Sequence, residues 1–318
     1  MRRIALKYGV VDKPNQAHKS HTAPVPYLGG VALVISTVSL TIVATLFSDF
    51  GDSNIILLST ILVPALIMAV IGLIDDIKQL KPWPRFVVQN LVAFFSVTVL
   101  IDSSTLGTPT GYLFLDFIIS AVWLVGITNA INFFDNLDGG ASGTIAISSL
   151  VLTCMAFLNG QFLIAAMSVV ISGSTVGFLL WNKPPAKIYM GDAGALFLGL
   201  IMASLLIRFD PIDNEQLNSF FMLLFLMAVP ILDTSVAVLG RIKRGVSPFT
   251  GGQDHLSHRI LRLGVSRKST IFLLWGITAY FALISATLFL FGDEFSTAIL
   301  LAGTLSWLML FVSFSFLK

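Results

Sequence analysis

An all-α polytopic membrane protein of about ten transmembrane helices is the fold class that the sequence predicts, and three observations predict it. The 318-residue chain is 56% hydrophobic and only 11% charged, where an ordinary soluble domain carries about 25% charged residues. Its apolar residues fall into ten long runs, each close to the roughly 20 residues that a helix needs to cross a bilayer. Of its 19 Lys and Arg residues, 18 lie in the loops on one side of those runs and only Arg208 on the other. Retention of basic loops on the cytoplasmic side produces such a split. A soluble globular enzyme, a disordered chain, a disulfide scaffold and a β-barrel are thereby excluded. Residues 1–318 read as one integral-membrane unit in the inner or plasma membrane, with any site among the basic loops facing the cytoplasm.

Taken in order, the chain opens without an apolar run ahead of Leu28, so the amino terminus reads as a loop and not as a signal peptide. This loop holds Asp12, Lys19 and His21 and a rigid approach through Pro24, Pro26, Gly29 and Gly30; its Lys and His can reach an anion. The spans follow at 28–47, 55–74, 86–101, 112–131, 141–158, 162–181, 193–207, 220–239, 270–291 and 295–317. An even count puts both ends on one side. The single cysteine, Cys154, forms no intrachain disulfide and reads as a small buried residue in the fifth span. On the outer side, carboxylates such as Asp116 read as solvated loop charges. On the inner side eight remain: Asp12, Asp75, Asp76, Asp135, Asp138, Asp192, Asp233 and Asp254. Carboxylates at a membrane edge are costly and mark function, and a helix cap would be served as well by Ser or Asn. Aspartates gathered on a basic face therefore point to a polyanion-handling site with a metal.

Four inner constellations carry that chemistry. Asp75 and Asp76 are adjacent carboxylates at a span end, followed by Lys78, Arg85 and Gln89; their repulsion is relieved by a divalent cation or a shared proton. Asn129, Asn132, Asp135 and Asp138 recur at three-residue steps, which place neighbours on one helix surface, before Gly139 and Gly140 in a loop with no basic residue. Gly191, Asp192 and Gly194 open a span with a carboxylate and exposed N–H groups suited to Mg²⁺ bridging to phosphate; Lys187 adds a phosphate contact and Tyr189 a stacking face. The longest inner loop holds Arg241, Lys243, Arg244, Pro248, Asp254, His255 and His258. With no thiol or further histidine nearby, the two histidines suit phosphate or a proton better than Zn²⁺. Lys243, Arg267 and Lys268 read as positive-inside determinants.

Together these segments resemble the polyprenyl-phosphate N-acetylhexosamine-1-phosphate transferase family, which includes lipid I synthase and the transferases that initiate O-antigen and teichoic-acid linkage units. The matching stretches run in the family's order: Ser20 to Gly30, Asp75 to Gln89, Asn129 to Gly143, Pro185 to Gly194 and Pro248 to Arg259. The resemblance implies attack of a polyprenyl phosphate on the β-phosphate of a UDP-N-acetylhexosamine, releasing UMP. It implies Mg²⁺, with Mn²⁺ as a substitute, held by Asp192 and Asp76, and Asp75 acting on the lipid phosphate. Asn132, Asp135 and Asp138 are then expected to line the nucleotide and diphosphate site, with Asn129 beside them. Asn182 and Tyr189 would meet the uridine; His255, His258, Arg241 and Arg244 the diphosphate or sugar; Lys19, His21 and Lys187 further phosphate. The expected partners are the UDP-sugar, the lipid and the bilayer, with room for a homodimer and none for nucleic acid.

Three departures from the family pattern accompany the match. One further span is expected ahead of the first inner loop, Ala195 stands where the family usually has Ser, and His255-Leu256-Ser257-His258 replaces consecutive histidines. The last favours the O-antigen and teichoic-acid branch, with GlcNAc as the sugar, over lipid I synthase. A carboxylate-coupled transporter would instead place its acids near the bilayer midplane in paired halves. A cytidine-diphosphate-alcohol phosphatidyltransferase would need further aspartates soon after Asp138-Gly139, and the next is Asp192.

Overall fold

In the computed structural model of the chain the described residues are 1–12, 24–47, 52–102, 110–211, 216–248 and 252–317. Residues 13–23, with Lys19 and His21, lie outside them. The expected amino-terminal loop carries a short helix, α1 (Arg2–Tyr8), and two strands, β1 (Val11–Asp12) and β2 (Val25–Pro26), paired antiparallel with Val11 opposite Pro26. Elements this short leave no long apolar run in the sequence.

The spans follow as α2 (Gly29–Leu46), α3 (Asp52–Lys78), α4 (Pro82–Asp102), α5 (Leu113–Phe134), α6 (Gly140–Leu158), α7 (Phe162–Asn182) and α8 (Gly191–Arg208). Then come α9 (Gln216–Leu226), α10 (Ala228–Lys243), the short α11 (Leu256–Arg262) and α12 (Arg267–Phe316). A break at Phe291 and Phe295 divides α12 into spans Arg267–Gly292 and Glu294–Phe316. Among the described residues nine helices are long and apolar enough to cross a membrane, and ten if α9 and α10 count as one. The protein is thus an all-α, multi-pass membrane protein, as its composition required.

The eighth span, expected as one run, is bent by 73° between α9 and α10. Pro230 accounts for the bend. It has no N–H to donate to Leu226 O, and its ring crowds that carbonyl. The freed carbonyl accepts instead from Ser148 Oγ of α6 at 2.7 Å, and Ala228 O accepts from Trp307 Nε1 of α12 at 3.1 Å. Inside a bilayer a broken helix persists only when neighbours satisfy its backbone in this way. Each such bond contributes about 0.6–2 kcal/mol.

At the centre stands α8, with every residue from Ala193 to Arg208 buried. It is apolar on all sides, as a helix enclosed by others must be, and it packs against α3, α5 and α2. Small residues permit that approach: a Cβ on Gly199 would lie 2.7 Å from Thr128 Cα of α5. Outward-facing side chains such as Leu91, Leu305 and Phe95 are exposed, as lipid contact requires. Cys154 belongs with them and not with the core; in a bilayer an apolar residue loses nothing by facing out. Asp116 is the opposite correction: it is buried, and its Oδ1 accepts from the N–H and hydroxyl of Thr110 at 2.8 and 2.7 Å.

Candidate active site

The end of the bundle that carries the basic loops encloses a cavity of about 620 Å³. Its lining divides by element into an acidic wall and a wall of arginine and imidazole groups. The acidic wall comes from the α3–α4 turn, the α5–α6 turn and the start of α8; the other comes from α10, α11, the segment between them and Arg267 at the start of α12.

On the acidic wall, α3 runs past the expected span end to Lys78 and so carries Asp75 and Asp76 on helical backbone. Asp76 faces the start of α8, accepting from Asp192 N–H at 2.8 Å and Ala193 N–H at 3.1 Å. Two orphan N–H groups of a helix N-terminus are thereby satisfied by a carboxylate. The approach needs glycines: at Gly72 a Cβ would lie 2.3 Å from Asp192 O, and Gly191 has φ 70° with Asp76 against its Cα. Asp75 and Asp192 share Arg85, whose Nη1 lies 2.6 Å from Oδ2 of each. Asp75 Oδ1 also accepts from Leu80 N–H, and Asp192 Oδ1 from Asn132 Nδ2, each at 2.6 Å.

The stepped motif of α5 is placed differently from its helical reading. The helix stops at Phe134 and Asp135 is its C-cap, so Asp135 and Asp138 lie on a turn, not on a continuing helix face. Both still line the cavity with Asn132. Asp138 Oδ2 accepts from Ala186 N–H at 2.9 Å and ties this turn to the α7–α8 segment. Burial, reinforced by the charges of Asp192, Asp76 and Asp138, pushes the Asp135 carboxyl well above the usual range. Tyr27 and Tyr189 face each other at the rim, with ring centroids 6.1 Å apart. Burial, and then the nearby carboxylates Asp12 and Asp138 respectively, raise both phenols, so both stay neutral.

The opposite wall is a closed network. Arg241 Nε donates to Asp254 Oδ2 at 3.3 Å, and Arg244 meets the same carboxylate with Nη1 2.7 Å from Oδ1. Burial pushes Asp254 up, but the two guanidiniums outweigh it and hold the carboxyl below the usual range. Arg241 also donates to Pro248 O at 2.6 Å, and its guanidinium lies 5.4 Å from the centre of the Phe133 ring. His255 is gripped by Asp233, and Ser257 Oγ donates to Asn136 Oδ1. Burial, aided by the neighbouring His255 and then by Arg262 and Arg267, pushes the His258 imidazole down to about 4 against the opposing charge of Asp233.

Of the residues singled out in the sequence, Asp75, Asp76, Asn132, Asp135, Asp138, Asn182, Tyr189, Asp192, Arg241, His255 and His258 line this one cavity. Asn129, Lys187 and Arg244 do not. Asn129 sits one turn before Asn132 in α5 and donates to Gln89 Oε1 at 2.7 Å; Lys187 Nζ lies 5.7 Å from the Trp181 ring centre; Arg244 pairs with Asp254 on the exposed side. Asn182 touches the cavity, but its amide is already engaged by Gly139 N–H, Ser142 Oγ and Ile188 O. Conversely, Arg85 and Arg267 line the site, although the sequence reading assigned Arg85 no role and Arg267 only topology. Asp233, fully buried behind His255, was also unassigned. An acid inside an apolar span was the signal that could have found it.

The family model described as glycosyl transferase family 4 matches residues 57–210. A Bacillus subtilis (strain 168) protein described as "Probable undecaprenyl-phosphate N-acetylglucosaminyl 1-phosphate transferase" is 32% identical, across 99% of this chain and 83% of its own. The decaprenyl-phosphate N-acetylglucosaminephosphotransferase of Mycolicibacterium smegmatis is 32% identical, across 88% of this chain and 76% of its own. The phospho-N-acetylmuramoyl-pentapeptide-transferase of Streptococcus equi subsp. zooepidemicus is also 32% identical, but across 70% of this chain and 68% of its own. The chain belongs to glycosyl transferase family 4.

Proposed function

We propose that the protein transfers GlcNAc-1-phosphate from UDP-GlcNAc to a polyprenyl phosphate, releasing UMP and leaving a polyprenyl-diphospho-sugar. It is a phosphotransferase for substituted phosphate groups. The observation that carries this reading is the two-walled cavity itself: carboxylates and an amide on one side, Arg241, Arg267 and imidazoles on the other. Two anionic phosphates can meet there only if both their charge and that of the acidic wall are balanced. The one-sided distribution of Lys and Arg supports a cytoplasmic opening. Relatives named for GlcNAc-phosphate transfer match over nearly the whole chain, and those named for the muramoyl-pentapeptide over less of it.

The acidic wall suits Mg²⁺. Among the described residues no three acidic or imidazole groups converge as a closed metal cage, but Mg²⁺ is commonly held by one or two carboxylates together with substrate phosphates and water. The donors present are hard oxygens: Asp192, the remaining lone pairs of Asp76, and Asp135, whose carboxylate accepts no hydrogen bond from the described residues. A bound Mg²⁺ would neutralise the diphosphate and favour charge build-up on the departing UMP. Around it, Arg85 holds Asp75 and Asp192 at one spacing and can exchange a carboxylate for a phosphate oxygen. Asp75 then orients the lipid phosphate for in-line attack on the β-phosphorus. The P–O bond to the α-phosphate breaks, and UMP leaves with its electron pair. Arg241 and Arg267 face the diphosphate, and Tyr27 and Tyr189 offer flat faces to the uridine.

The test is release of UMP by the purified protein in detergent with undecaprenyl phosphate and Mg²⁺, across UDP-GlcNAc, UDP-GalNAc and UDP-MurNAc-pentapeptide. Turnover is expected with UDP-GlcNAc. Turnover only with the pentapeptide donor would move the protein to the lipid I reaction, and none with any donor would overturn the assignment.

A further inference from the structure

Asp233 is a carboxylate that the transfer reaction leaves without a task. It is fully buried in α10 and does not reach the cavity, a costly position within a membrane span. Its Oδ2 lies 2.7 Å from His255 Nδ1, and its Oδ1 accepts from Leu256 N–H at 2.7 Å. Across the ring, His255 Nε2 lies 3.2 Å from Arg241 Nη2. An arginine can only donate, so Nε2 accepts. The ring proton is then on Nδ1, where the carboxylate takes its hydrogen bond. One neutral tautomer satisfies both contacts, and the opposite one sets donor against donor at Arg241 and leaves Asp233 Oδ2 without that bond.

We infer that Asp233 is a positioning residue that holds His255 in the Nδ1–H tautomer, so that the imidazole uses its Nε2 lone pair to aim Arg241 at the substrate diphosphate and does not itself transfer a proton. This rests on the transferase reading above and changes the role expected of His255 within it. The rest of the Arg241 environment agrees. Its Nε is held by Asp254, its Nη1 by Pro248 O and its face by Phe133. Of the five guanidinium N–H groups, three are committed in this way among the described residues, which leaves one on each terminal nitrogen of a side chain that lines the cavity. A pair of N–H groups on the two terminal nitrogens is the fork that binds phosphate oxygens in a bidentate manner. Carboxylates behind ligand-holding histidines elsewhere set tautomer and ring orientation by the same means.

Two variants and one spectrum test this. Glutamine can present an amide oxygen where Nε2 was but cannot shuttle a proton. His255→Gln is expected to stay within about 10-fold of wild-type kcat for UMP release, while His255→Ala loses about 100-fold in kcat/KM, mostly as a higher KM for UDP-GlcNAc. Asp233→Asn offers one acceptor where three donors converge, Leu256 N–H, His255 Nδ1 and the more distant Asn136 Nδ2 at 3.5 Å; with its oxygen on Leu256 N–H its NH₂ turns to the ring and the tautomer flips to Nε2–H, with the same KM signature. The chain has only four histidines, so ¹⁵N spectra of histidine-labelled protein in nanodiscs can be assigned by His→Gln variants. The wild type should show His255 protonated on Nδ1, and Asp233→Asn should show it on Nε2. His255→Gln as inactive as His255→Ala, or a wild-type ring protonated on Nε2 alone, overturns the inference. The spectrum needs no substrate, so a wild type that releases no UMP would defeat the transferase reading and still leave the tautomer decided.

Discussion

Along the wall made by α3, α5 and α8, Asp75 and Asp192 share a single guanidinium, Asp76 is met only by backbone N–H groups, and Asp135 has no hydrogen-bond donor among the described residues. Along the wall made by α10 and α11, Asp254 has two arginines, Asp233 has an imidazole, a backbone N–H and, at 3.5 Å, the Asn136 amide, and Arg241 has three acceptors. On the first wall negative charge exceeds its compensation, which suits the cation and substrate proposed above. On the second the groups are paired before anything binds, so their geometry is ready and costs little reorganisation when the reaction begins. The transferase reading proposed above uses both kinds of wall, the first to attract Mg²⁺ and the second to hold a diphosphate.

Removing charge from the incomplete wall should have the largest effect. Asp192→Asn is expected to lower UMP release by about 10³-fold or more, because one carboxylate serves Arg85, Asn132 and the proposed metal. The variant should still run as a monodisperse protein on size exclusion; activity above a tenth of wild type would mean that the acidic wall is not where reaction occurs.

The paired wall should respond to pH through stability. His258 is depressed to about 4 in the folded protein from 6.5, so between those values the unfolded chain binds the extra proton. Stability is therefore full above about pH 6.5 and falls as the pH drops toward 4. At pH 5 the loss should be about 1–2 kcal/mol, read as a lower thermal midpoint in detergent. His258→Phe should remove that difference between pH 7.5 and pH 5; an unchanged difference would show that another group carries it.

The smallest effect belongs to a residue that the sequence placed in the site and the structure places beside it. Lys187→Ala, which leaves the Trp181 ring and no cavity contact, should change kcat/KM for UDP-GlcNAc by less than about threefold, the scale of a surface cation. A tenfold loss would return Lys187 to the substrate.

Hydrophobic run length and basic-residue placement were enough to locate the spans, because the bilayer imposes both on sequence directly. The aspartates were legible for a related reason: in a chain so poor in charge, each retained acid stands out. What did not show in that pattern were effects of contact. Pro230 bends the eighth span, yet hydropathy averages over it. Asn129 shares its three-residue step with Asn132 but faces Gln89, since α5 ends at Phe134 and the later members turn into the cavity from a loop. Asp233 stands among the inner acids in the sequence, but its partner His255 is 22 positions away along the chain.

By itself, then, the sequence determined the fold class, the spans to within a few residues and the set of acids from which a site could be built, all consequences of the price of placing polar groups in lipid. Only the tertiary structure decided which acid meets which base: that Arg85 joins Asp75 to Asp192, that Asp76 caps α8, and that Asp233 stands behind His255. Hydrogen bonds and ion pairs act over about 3 Å, and residues far apart in the chain come within that distance only once the helices have packed.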